Sequence, residues 1–145
     1  MAQVMNRGDG IVTGGALGVD YIATDEALIH NPDAKRIKIF LPTTLEIYAT
    51  HYRKRAAEGV ITKEQAEALI GLLTNVKTSN KESVIEMEYT VLNEETYYDR
   101  NTRVVENADR LFAFQVNGSG GVQDTIDKAR KFGLKVVLKQ YTIDN

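Results

Sequence analysis

Two glycine turns limit what this chain can fold into. The first is Thr13-Gly14-Gly15-Ala16-Leu17-Gly18-Val19-Asp20, and the second is Asn117-Gly118-Ser119-Gly120-Gly121-Val122. Each follows a short apolar run, Gly10–Thr13 and Leu111–Gln115, and each opens a segment with helical periodicity. A strand that turns through glycines into a helix leaves free N–H groups at the positive end of a helix dipole. That arrangement collects anions, most often phosphate. The expectation is that the two turns form two lips of one nucleotide-type site.

Between and around these turns the pattern alternates. Ala2–Arg7 followed by Gly8 reads as the last turn of a helix, which suggests that a strand and most of a helix usual to such a fold are absent. Val19 to Ile29 reads as a helix with Val19, Ile22, Ala23 and Ala27 on one face, and Arg36 to Leu41 as a strand. Thr43/Glu46 and Thr62/Gln65 both have capping-box spacing. They open two helices, ending at Gly59 and near Asn75, that form a hairpin insertion over about 43–75. Residues 77–81 read as loop, and Ser83–Leu92 fits a strand or an extended loop. Asn93–Arg100 reads as a polar approach to a helix over 101–107, and Val122–Phe132 and Lys135–Lys139 as the last helix and strand. The expected fold is α/β: a Rossmann-like open, mainly parallel sheet flanked by helices, in one domain over 1–145.

Composition narrows the chemistry. With no cysteine and only His30 and His51, thiolate and histidine-rich metal sites are not expected, and neither is a cofactor. A net charge of −2 offers no global attraction to nucleic acid, which makes it the least favoured partner. No apolar run reaches the ~18–20 residues of a membrane span, and no signal-peptide core stands at the N-terminus, so a cytoplasmic address is expected. The basic run at His51, Arg53, Lys54 and Arg55 reads as a solvated helix face, and Glu82, Glu86, Glu88, Glu94 and Glu95 as dispersed surface carboxylates. The hairpin carries more apolar stripe than a four-strand sheet would hide, so a homo-oligomer is expected.

Three segments in order resemble the Rossmann-like SLOG superfamily, which includes the DNA-processing protein A family and the lonely-guy phosphoribohydrolases. The segments are Thr13–Asp20, Asp99-Arg100-Asn101 with Val104, Val105, Ala108 and Asp109, and Gly118–Ile126. The resemblance implies a nucleotide or nucleotide derivative held at Gly14, Gly15, Ala16, Gly18 and Asp20, at Arg100 and Asn101, and at Gly118, Ser119, Gly120, Gly121 and Thr125. Arg100 would clamp a phosphate or carboxylate, with a surface ion pair to Asp99 or Asp109 as its plainer role. Asp20 would hold a ribose or brace its turn, and Tyr97 or Tyr98 would stack on a base or simply pack.

The resemblance supports the ligand more than a reaction. Val122 stands where a threonine is usual, and Thr125 where the lonely-guy hydrolases have a glutamate. Asp124 would point about 100° away from Thr125 on a helix. A nucleoside 5′-monophosphate N-glycosidase, with Asp124 or Asp20 as the carboxylate, is therefore the alternative, and a DNA-processing accessory role the third reading.

Overall fold

The computed structural model describes residues 1–143, and they divide into two compact units. The fold is mixed α/β with parallel strands and flanking helices, in keeping with a Rossmann-like class.

The first unit, Met1–Leu92, holds α1 (Ala2–Asn6), β1 (Ile11–Thr13), α2 (Val19–His30), β2 (Ile37–Leu41), α3 (Leu45–Ala57), α4 (Lys63–Ser79) and β3 (Val84–Glu86). Its strands form a parallel sheet in the order β1-β2-β3. Ile37, Ile39, Phe40 and Leu41 are all buried. Burial at successive positions means both faces of β2 are covered, as a central parallel strand requires. On α2 the buried residues are Thr24 and Ala27, not the expected Val19 and Ile22. Thr24 can be buried because its hydroxyl lies 3.3 Å from that of Thr13, so both polar groups are satisfied.

The hairpin forms, with adjusted caps. Thr62 and Gln65 make both capping-box bonds, at 3.0 and 2.9 Å. For α3, Thr44 is the cap, accepting from the Ile47 amide at 3.3 Å, while the expected Thr43 is buried and turns its hydroxyl to the Thr44 carbonyl. The Glu86 carboxylate adds a tertiary cap, accepting from the Leu45 amide and from Lys77 Nζ. Partial burial works against its charge, but the amide and the ammonium win, and its pKa lies below the ordinary carboxylate value. Residue 77, expected in a loop, belongs to α4, which continues because Val76 is fully buried. Ala66, Leu69, Ile70, Leu72, Leu73 and Val76 are buried within this unit. The stripe that suggested an oligomer through the hairpin is thus already covered. Of the basic run, Arg53 holds Glu67 through two bonds at 2.8 and 3.2 Å, fastening α3 to α4.

The second unit begins at Asn93 and holds α5 (Glu94–Glu106), β4 (Arg110–Val116), α6 (Gly120–Lys131) and β5 (Lys135–Tyr141). β4 and β5 are a parallel pair with Phe114 opposite Lys139. α5 starts seven residues before the expected 101, because Asn93 and Thr96 make a second capping box within the stretch expected only to approach the helix. Tyr97, Tyr98 and Arg100 are therefore helical residues.

Candidate functional site

The first glycine turn is filled by the protein itself. One Asp20 carboxylate oxygen accepts from the amides of Gly14, at 3.1 Å, and Ala16, at 3.3 Å. Asp20 lies in the first turn of α2, where the dipole favours a carboxylate. Gly14 and Gly15 are buried, and the Tyr48 hydroxyl donates to the Gly15 carbonyl at 2.9 Å. Gly15 has φ +67, and a Cβ there would lie 2.7 Å from Leu41 Cδ2. Both features demand glycine for folding alone. Gly18, at φ +83, starts α2 without a side-chain cap, and a Cβ there would meet nothing within 4 Å.

The second turn differs. Asn117 and Gly118 both adopt positive φ, +50 and +67, and reverse the chain out of β4. The Asn117 side chain bridges to the backbone of Ile143 at 2.8 and 3.0 Å, which holds the left-handed conformation. Ser119 precedes α6 but places no side-chain cap on it. Its carbonyl accepts from Gln123 N–H and from Gln115 Nε2. The amides of Gly120, Gly121 and Val122 have no protein acceptor among the described residues, so the start of a twelve-residue helix keeps its donors. Gly120 and Gly121 are exposed, and a Cβ at Gly121 would meet nothing within 4 Å.

Side chains of α5 and α6 gather beside this turn. Asn101 Nδ2 donates to the Gly121 carbonyl at 3.3 Å and to Asp124 Oδ2 at 3.2 Å. Arg100 Nε donates to Asn101 Oδ1 at 3.1 Å, and its guanidinium lies 5.3 Å from the Tyr97 ring centre. Arg100 is buried, so it contributes a fixed positive charge rather than a mobile surface one. Lys128 Nζ bonds Asp124 Oδ2 at 2.9 Å and the Tyr98 carbonyl, and lies 5.6 Å from the Tyr98 ring centre. Desolvation, with the carboxylates of Glu94 and Asp124, pushes the Tyr98 phenol pKa up. Thr125, expected among the ligand contacts, turns its hydroxyl back to the Gly121 carbonyl at 3.1 Å.

Arg100, Asn101, Gly118–Gly121 and Asp124 therefore lie together in the second unit, while in the first unit Asp20 holds the Gly14 and Ala16 amides of its own turn. Lys128 was missed as a site residue. Its signal was the four-residue spacing from Asp124, which puts both on one helix face. Among the described residues no three His, Cys, Asp or Glu side chains gather as a metal site, and no helix is long and apolar enough to cross a membrane. No family model, no curated protein and no solved structure matches this chain.

Proposed function

We propose that this chain binds a nucleotide or nucleotide derivative, acting as a sensor or carrier in the manner of the SLOG superfamily it resembles. The reading is carried by the second glycine turn, where three free amides open α6 beside the buried Arg100. A phosphate takes the amides of Gly120, Gly121 and Val122, and Arg100 and Lys128 supply positive potential. Asn101 positions the turn by tying α5 to the Gly121 carbonyl. Tyr98, whose hydroxyl would lie 3.5 Å from a Cβ at Gly120, offers an aromatic face beside the phosphate.

The N-glycosidase alternative requires a carboxylate free to move charge at the anomeric carbon. Asp124 is held by both Lys128 and Asn101, and Asp20 by two backbone amides. Both carboxylates serve structure, which favours binding over turnover. Isothermal titration with AMP, ADP and ADP-ribose tests the reading. Saturable heat at submillimolar ligand, weakened at least tenfold by Arg100→Met, is the expected result. Absence of heat with a folded protein refutes it.

A further inference from the structure

We infer that two copies of this chain dock reciprocally, with α2 of one lying across the open face of the β4–β5 sheet of the other. Neither surface belongs to the nucleotide reading above.

The sheet surface follows from alternation. Ala113 and Gln115 are buried on the side where α6 lies, as shown by the bonds from Gln115 Nε2 to Ser119 O and Gln123 Oε1, both at 3.1 Å. Side chains on a strand alternate, so Phe112, Phe114 and Val116 point to the opposite face. They are exposed by 48, 37 and 38%. Their parallel partners Val137, Lys139 and Tyr141 share that face, and Arg110 and Lys135 pair at its start. Neither strand contains an acidic residue. The face is aromatic with three cations, and parallel sheets bury such faces under helices.

The helix surface complements it. Val19, Ile22 and Ile29 on α2 are exposed by 42, 66 and 65%. At 100° per residue they share one face of about 120° with Asp25 and Glu26. Glu26 also accepts from exposed His30 at 3.3 Å, a contact that leaves the carboxylate near the surface. An apolar stripe with two carboxylates therefore meets an apolar sheet with three cations. The dimensions agree as well. A twelve-residue helix spans about 18 Å, and seven-residue strands span about 23 Å. Each copy offers one surface of each kind, so a reciprocal pair matches both, as an isologous contact requires.

Because the chain has no cysteine, single thiols report the contact cleanly. Ile22→Cys and Phe114→Cys proteins are prepared separately, mixed, and treated with a short bis-maleimide. A covalent pair containing one of each variant is expected, well above the yield from either variant alone. Light scattering of the unmodified protein should give a dimer. Lys135→Glu/Lys139→Glu should raise its dissociation constant at least tenfold, and mixing that variant with Asp25→Lys/Glu26→Lys should recover association. A monomer at high micromolar concentration overturns the proposal. So does a dimer that yields no 22–114 product or is indifferent to the charge reversals.

Discussion

Asp20 returns its carboxylate to the amide of Gly14, 3.1 Å away, and so braces the glycine turn that leads into its own helix. The same oxygen takes the Ala16 amide, so one side chain holds two donors of the turn. A negative residue at the start of a helix thus serves as the turn's own anion.

Replacing Asp20 with alanine should destabilise the fold by about 1–2 kcal/mol, the range for a partly buried charge-assisted bond with a helix-start contribution. Urea denaturation followed by circular dichroism measures this. A change within a few tenths of a kcal/mol would show that water replaces the carboxylate without loss.

Gly15 and Gly133 both adopt positive φ, +67 and +77, yet they differ in what surrounds them. Alanine at Gly133 meets nothing within 4 Å and should cost only the left-handed backbone penalty, about 1–2 kcal/mol. Alanine at Gly15 adds a Cβ 2.7 Å from Leu41 and 3.0 Å from Ile39. Overpacking adds about 1–3 kcal/mol to the same penalty. Paired denaturation curves should place Gly15→Ala well below Gly133→Ala, and equal losses would contradict the packing account.

Much of this was legible in the chain, because the strongest signals were local. The capping box at Thr62 and Gln65, the glycine turns and the apolar strands all depend on near neighbours. The features that local pattern does not carry depend on distant ones. Thr44 caps α3 rather than Thr43 because Glu86, from another strand, fixes the entry at Leu45. Val19 and Ile22 have a core-like spacing but lie exposed, while Thr24 is buried through its bond to Thr13. The start of α5 is hard to read locally for a different reason. Asn93 and Thr96 form a capping box whose second member is threonine rather than the usual glutamate or glutamine. Among the site residues, Arg100 and Asn101 do adjoin the second turn, and Asp20 braces the first, one of the two roles its place at the start of α2 suggests.

Glu86 links three elements through Leu45 and Lys77, and its pKa is depressed in the folded state. A depressed carboxylate contributes stability above its unfolded pKa and loses it as pH falls through the folded value. Glu86→Gln should therefore lower stability by about 1 kcal/mol at neutral pH, the worth of a helix-start charge. The two proteins should converge in acid. A difference that persists unchanged below the ordinary carboxylate range would contradict this role.

The central claim rests on three amides, and they can be observed one by one. Nitrogen-15 correlation spectra during titration with AMP should show the signals of Gly120, Gly121 and Val122 moving together and saturating at submillimolar ligand. The Gly14 and Ala16 amides, already bonded to Asp20, should not follow the phosphate. Spectra in which the α6 amides stay fixed, or in which the largest shifts fall outside residues 98–128, would contradict the account.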